Sequence, residues 1–496
     1  MSHSAYATLP VSSLSSFESV SWIQKKLLGH ARTAVFYALK RGIMAGVLEM
    51  TDPSGIVHRF GTPVKGDKPD ARRGVLHIHN DRFWVRVYLS YDVGFSEAYM
   101  AGECDSPNLK EVLNLFVDNE RNMIGLFSTF FHKTYNAFTK FSHFFSHSHA
   151  KSIADIAGYD ASNELYTAFL SKEMQYSCPI WSENEGGVCG DLQGHRAIGD
   201  LEAAQVTKID YIIRKARLRS GGRLLEIGSG WGSVAIAAAK LGCTVDTLTL
   251  SIEQKQLAEK RIEEAGFSGQ IRVHLMDYRD MPPHFERAFD ACVSLEMLED
   301  IGLEYMHKYF AKIDWALKDS DSVAVLTATC YPESTHTGFQ GPNFIRKFHW
   351  PNTILPSAFS LAKYFCTAPK GRFCIDSIED FGTHYPRCLR EWGRRLDENW
   401  NSDLIDSLQQ RYPELKDAYM LEMFRRKWHY MFLYMEVVYS RVWLTCVCWT
   451  LARPPVSALD AMSVATSLAH IFETRTELHA TFRRAQSKET ASYTQT

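Results

Sequence analysis

The residues with the clearest chemical purpose lie in the run Leu224-Leu225-Glu226-Ile227-Gly228-Ser229-Gly230-Trp231-Gly232, where an apolar stretch ends on a carboxylate and glycine then recurs at every second position. Glycines at a strand-to-helix turn let the backbone adopt positive φ and approach a ligand, and the following helix opens with free N–H groups. A dinucleotide site uses such glycines in G-x-G-x-x-G spacing, with its pyrophosphate on the helix N-terminus. Here the spacing is G-x-G-x-G, through Gly228, Gly230 and Gly232, and Glu226 stands where it can meet the ammonium of a methionine moiety. The motif therefore reads as a pocket for S-adenosylmethionine, the alternative being a tight turn in an ordinary βα unit.

The elements that must position this motif follow directly. Ser233 to Leu241 has helical apolar spacing, and Cys243 to Leu250 is rich in β-formers, so a second strand is expected beside the first. That strand ends in Thr249-Leu250-Ser251, with Gln254 one turn into the next helix, where a dinucleotide enzyme would place an acid. Val273 to Met276 predicts a third strand leading to Asp277, suited to an adenine edge, and Phe289 to Ser294 a fourth leading to Glu296 and Glu299. Alternating strands and helices predict an α/β fold, a doubly wound Rossmann-like sheet with its ligand at the carboxyl ends of the strands.

Several motifs in one order resemble the cyclopropane-fatty-acyl-phospholipid synthase family of S-adenosylmethionine-dependent, mycolic-acid-cyclopropane-synthase-like methyltransferases. They are Gly158 to Tyr166, Met174-Gln175-Tyr176-Ser177-Cys178, the glycine loop, Thr249-Leu250-Ser251-x-x-Gln254 and Asp277-Tyr278-Arg279-Asp280. The resemblance continues through Leu298 to Gly302, Leu355-Pro356-Ser357, Phe381 to Tyr385 and Met435-Glu436, and upstream through Phe83-Trp84 and Gly94 to Met100. It implies a class I methyltransferase domain behind a smaller α+β N-terminal domain, and methyl transfer to the double bond of an unsaturated acyl chain. The resulting carbocation closes a cyclopropane by losing a proton to a bound bicarbonate. Such a cation needs a dry, aromatic-lined pocket.

By the same resemblance Tyr176, Ser177, Gly228, Gly230, Thr249 and Gln254 hold S-adenosylmethionine; Glu226 and Asp277 are further contacts on physical grounds, and Gly232 and Ser251 are expected beside them. Cys178, Glu299 and Tyr385 match the catalytic positions around the bicarbonate. Thr327, Ala328 and Thr329 stand where the family carries His or Gln two residues before Ile, and Gly158 replaces another His. Thr327 keeps a hydroxyl but no titratable proton. Two outcomes stay open: bicarbonate still binds and a ring closes, or Glu299 acts as base and a methyl-branched or methylene product forms. An olefinic small molecule as substrate, or a silent protein that only binds S-adenosylmethionine, are the alternatives to an acyl lipid.

Composition sets the frame. A length of 496 residues suggests about three domains, whereas the motifs divide the chain into a tail at 1–20, an accessory domain at 21–135, a linker at 136–157, a catalytic domain at 158–455 and a C-terminal helix and polar tail at 456–496. A net charge of −2 offers no argument for nucleic acid, and a polar-Pro-Pro-aromatic turn is absent after the fourth strand. Eleven cysteines without a C-x-x-C pair read as reduced, mostly buried thiols. The Ser-rich start lacks a secretory pattern, which points to a cytoplasmic protein; the basic helix Trp22 to Lys40 could alternatively touch a membrane surface. An oligomer is open. Charges interrupt the apolar stretch Arg425 to Leu451, so buried helix and strand are expected there rather than a span. In the N-terminal domain, Gly46 to Met50 and Ile56 to Phe60 flank a turn at Asp52-Pro53-Ser54-Gly55, and Val75 to Leu89 is expected as strand. Phe127 to Phe145 is a phenylalanine-rich stretch that reads as core or as an entry for lipid chains. His143, His147 and His149 read as linker, with no metal site expected.

Overall fold

The computed structural model describes residues 22–61, 72–124, 162–337, 340–341, 343–351, 353–367 and 372–453. The expected tail at 1–20, the linker at 136–157, the Phe127 to Phe145 stretch, His143, His147, His149, Gly158 and the C-terminal segment 456–496 lie outside them. The chain divides into two compact units, Met1–Phe138 and Thr139–Thr496.

In the first unit a helix, Trp22–Gly42, accompanies a four-stranded sheet in the order β2-β1-β3-β4, formed by β1 (Val47–Thr51), β2 (Val57–Gly61), β3 (Arg73–Ile78) and β4 (Cys104–Asp105). The β1–β2 hairpin turns where expected because Asp52 Oδ1 accepts the backbone N–H groups of Ser54 and Ile56, both at 3.0 Å. Val75 to Leu89 is not one strand. It ends as β3 at Ile78, and a helix runs over Arg82–Met100, interrupted at Tyr91. The reason is local: Asn80 Oδ1 accepts the Arg82 N–H at 2.9 Å and Trp84 Nε1 donates to Asp81 Oδ1 at 3.0 Å, so His79-Asn80-Asp81 starts a helix instead of continuing the ladder.

The second unit is built on a seven-stranded sheet in the order β10-β11-β9-β8-β5-β6-β7. Its strands are β5 (Arg223–Ile227), β6 (Thr244–Thr249), β7 (Ile271–Leu275), β8 (Ala291–Leu295), β9 (Val323–Cys330), β10 (Cys374–Asp380) and β11 (Thr445–Ala452). Pairings from β7 through β9 are parallel, and β11 runs antiparallel to both β9 and β10. The order reverses between β5 and β8, and a crevice at such a switch point is where α/β sheets bind ligands. Helix Ser233–Lys240 joins β5 to β6 and helix Ile252–Glu264 joins β6 to β7. The apolar stretch from Arg425 resolves into the end of helix Ala418–Ser440 and the fully buried β11, and no helix among the described residues is long and apolar enough to cross a membrane. Cys446 and Cys448 are buried and free.

Candidate active site

The glycine loop leaves β5 with Gly228, Gly230 and Gly232 all in the left-handed region, at φ 95°, 46° and 87°. Their roles differ. A Cβ on Gly232 would touch Ala258 at 3.4 Å, so this glycine serves helix packing, whereas a Cβ on Gly230 would meet nothing within 4 Å and would project into open space. That space is a cavity of about 190 Å³. Tyr176, Ser177, Glu226, Gly228, Gly230, Thr249, Ser251, Gln254 and Asp277 all line it; Gly232 does not.

Neighbouring elements hold these groups in place. The Thr249 hydroxyl donates to Gln254 Oε1 at 2.8 Å and accepts the Ser251 N–H at 3.1 Å, while Ser251 caps helix Ile252–Glu264 by accepting the Gln254 N–H at 3.2 Å. Asp277 caps its own turn through the Arg279 N–H at 2.8 Å and also pairs with the Arg279 guanidinium. Lys208, which sequence reasoning did not single out, is buried beneath the pocket; its ammonium donates to Ser177 Oγ at 2.8 Å and to Gln175 Oε1. Burial pulls this ammonium down to about 8.

Glu226 is 3% exposed and burial pushes its carboxyl up to about 8, although the Thr247 hydroxyl and Lys208 oppose the shift. Its Oε2 has no well-formed hydrogen bond. A buried carboxyl with a spare acceptor, facing a glycine-floored cavity, fits the cationic methionine end of S-adenosylmethionine.

A second cavity, of about 150 Å³, shares Tyr176, Glu296 and Asp300 with the first. Eight aromatic side chains contribute to its wall, among them Trp350, Trp392, Tyr434, Tyr439 and Trp443, together with the charged residues Glu296, Glu299, Asp300 and Arg346. The segment expected as a loop, Pro351 to Pro356, contributes Thr353 and Leu355 to that wall. It is tied to the sheet by Thr353 Oγ1 donating to Asp300 at 2.7 Å and the Ile354 N–H donating to the Glu299 carbonyl at 2.8 Å.

Of the three residues expected around an anion, the structure gathers Cys178 and Tyr385 on Glu296. The Cys178 N–H donates to Glu296 Oε1 at 2.7 Å and the Tyr385 hydroxyl donates to Oε2 at 2.6 Å. Glu296 is the first residue after β8, with its backbone in the left-handed region at φ 49°. Strain of this kind in a non-glycine residue gathers at functional sites. Thr327 explains part of the arrangement, because both its carbonyl and its hydroxyl accept the Glu296 N–H, at 2.9 and 3.1 Å. Glu299 lies apart from that pair. Its Oε1 accepts the Thr329 N–H, and its buried Oε2 has no partner. The signal for Glu296 was present in the chain: a carboxylate immediately beyond a strand at the sheet's switch point.

Burial raises both carboxyls. Donation from Tyr385 and Cys178 holds Glu296 down, while the Glu296 charge pushes Glu299 further up. Glu299 is therefore raised further than Glu296, which makes Glu296 the more acidic of the two. Burial also raises the Cys178 thiol, which leaves the backbone N–H as that residue's contribution.

A seven-stranded sheet with one antiparallel strand, and a glycine-floored cavity at its switch point, define a class I S-adenosylmethionine-dependent methyltransferase. Residues 146–433 match the family described as mycolic acid cyclopropane synthetase, and the chain belongs to that family. It is 30% identical over 407 residues to the tuberculostearic acid methyltransferase UfaA1 of Mycobacterium tuberculosis, covering 81% of this chain and 89% of that protein. It is 28% identical over 378 residues to the cyclopropane-fatty-acyl-phospholipid synthase of Escherichia coli, covering 74% and 86%. The solved cyclopropane synthase MmaA2 from Mycobacterium tuberculosis, 23% identical, aligns with a TM-score of 0.50 over 61% of this chain and 98% of that chain, a likeness of fold.

Proposed function

We propose that the protein is a C-methyltransferase acting on the double bond of an unsaturated acyl chain, with Glu296 as the proton acceptor. The observation that carries this reading is the Glu296 carboxylate at the wall common to both cavities, held by the Cys178 N–H and the Tyr385 hydroxyl. These are two of the groups that the resemblance assigns to a bound bicarbonate. Here a side chain occupies them.

S-adenosylmethionine supplies an electrophilic methyl group on a sulfonium. Glu226 orients its ammonium and Tyr176 separates the two cavities. The aromatic wall excludes water and presents ring faces to the alkyl cation left on the acyl chain once one olefinic carbon has gained the methyl. Glu296 then accepts the proton that the cation loses. Loss from the added methyl closes a cyclopropane, and loss from a chain carbon leaves a methylated olefin. Glu299, protonated, leaves Glu296 as the charged partner. Both similar proteins named above carry lipid or fatty-acid chemistry in their names, which supports an acyl substrate.

The test is incubation with methyl-labelled S-adenosylmethionine and dioleoyl phospholipid, with and without bicarbonate, and analysis of the acyl products by mass. The expected result is a labelled product one carbon heavier whose yield ignores bicarbonate. A strict bicarbonate requirement would overturn the role given to Glu296, and no labelled acyl product would overturn the substrate class.

A further inference from the structure

Gln205 and Lys208 stand three residues apart on one face of helix Asp200–Lys215, and both are buried. Both grip the segment that holds Glu296. Gln205 Nε2 donates to the Ser177 carbonyl at 2.9 Å, and the other end of that same planar peptide unit is the Cys178 N–H, which donates to Glu296 Oε1 at 2.7 Å. Lys208 Nζ pins the adjoining side chain, donating to Ser177 Oγ at 2.8 Å and to Gln175 Oε1. Both of its acceptors are neutral oxygens. An ammonium buried against neutral partners costs stability, yet burial pulls this one down only to about 8, which leaves it charged at neutral pH.

That charge is set against Glu296. The other titratable groups around this carboxylate are Tyr176 and Cys178, Tyr385 and Cys388 of helix Tyr385–Glu398, Tyr439 of helix Ala418–Ser440, Cys446 of β11, and Glu299. Burial raises the three phenols and the Cys178 and Cys388 thiols, the neighbouring Cys178 thiol and burial raise Cys446, and all of them stay neutral. Burial raises Glu296 as well, and beside the Tyr385 and Cys178 donors it is the Lys208 ammonium that opposes this. Glu226 is the other carboxyl on which the same ammonium acts.

We propose that Lys208 is a positioning residue for the proton acceptor: through Ser177 it fixes the Cys178 N–H on Glu296, and its charge keeps that carboxylate ionised. The inference rests on the reading of Glu296 as proton acceptor and deepens it. An alkyl cation is acidic enough to protonate any carboxylate, so ionisation of the acceptor, rather than its basicity, is what the site has to secure.

In the full-length protein the Glu296 carboxyl is titrated by infrared difference spectroscopy across about pH 5 to 9, its band identified by loss in E296Q, and the titration is repeated in K208M, K208Q and K208R. K208Q keeps a donor for the same two oxygens and removes the charge, so it carries the test should K208M not fold; a thermal melt checks each variant. The expected result is a Glu296 midpoint higher by about one pH unit or more in K208M and K208Q, a K208R midpoint within about 0.3 of the unmodified protein, and an acid limb of labelled methyl transfer that moves with the midpoint. Identical Glu296 behaviour in the unmodified protein and both neutral variants would overturn the proposal. So would a shift in K208R as large as that in K208M, which would trace the effect to packing. The midpoint is read without methyl transfer and judges the link from Lys208 to Glu296, while turnover of E296Q judges the proton-acceptor reading separately.

Discussion

The Tyr385 hydroxyl donates to Glu296 Oε2 across 2.6 Å, joining the first residue beyond β8 to the first residue of helix Tyr385–Glu398, 89 positions further along the chain. Tyr385 is itself stacked on Tyr439, with ring centroids 4.3 Å apart, so its hydroxyl is aimed by packing rather than by a flexible side chain.

Replacing Glu296 by Gln keeps the side chain's size and removes the proton acceptor. Labelled methyl transfer is expected to fall by about 100-fold or more, with S-adenosylhomocysteine binding unchanged. Tyr385→Phe removes one donor to the carboxylate and is expected to cost about tenfold. If E296Q retains near-normal turnover while E299Q does not, the base is Glu299.

Gly230→Ala tests how closely a ligand approaches the loop. No protein atom obstructs the new methyl, so stability should drop only by the cost of left-handed backbone in a non-glycine residue, about 1–2 kcal/mol. Cofactor affinity should fall by about tenfold or more, because a ligand backed by this loop meets the methyl. Calorimetric binding beside a thermal melt separates the two effects. An unaltered affinity would place the ligand away from Gly230.

Glu226, pushed up to about 8 by burial, makes cofactor binding pH-dependent. A cationic ligand stabilises the carboxylate, so binding below pH 8 must release a proton, and affinity is expected to fall by up to about tenfold per pH unit from there downward. Calorimetry between pH 6 and 9 should show this slope and the released proton. Comparison with E226Q cancels the ligand's own titration; equal slopes in the two proteins would rule out Glu226 as the contact.

Lys208 couples the floor of the same pocket to stability. In the unfolded chain its ammonium titrates near 10.5, and in the fold burial brings it to about 8. The folded state thus holds fewer protons between these values, so this group's contribution is present above 10.5 and lost as pH falls through 8. Melting curves from pH 8 to 10.5 should rise less steeply with pH in Lys208→Met than in the unmodified protein, the difference reaching a few kcal/mol. Parallel curves would show the ammonium to be solvated.

Much of the lining of the first cavity was legible in the chain because several of its parts are local. The Thr249-Ser251-Gln254 capping turn, the Asp277 turn and the Gly232 N–H, which donates to the Ser229 carbonyl, each bond within a few residues of themselves, so their spacing alone carries the geometry. Alternation of strands and helices was legible for the same reason, and it predicted the parallel half of the sheet. Val75 to Leu89 failed because its apolar residues suit either element, and the side chains of Asn80 and Asp81 tip the balance toward a helix start.

Sequence by itself therefore determined the family, the α/β class and nine of the residues that line the first cavity. Tertiary structure alone decided which carboxylate meets Cys178 and Tyr385. Glu296 and Glu299 stand three residues apart on one turn, and their partners lie on segments remote in sequence. The register of β8 against β9 sets Thr327 behind Glu296 and Thr329 beside Glu299.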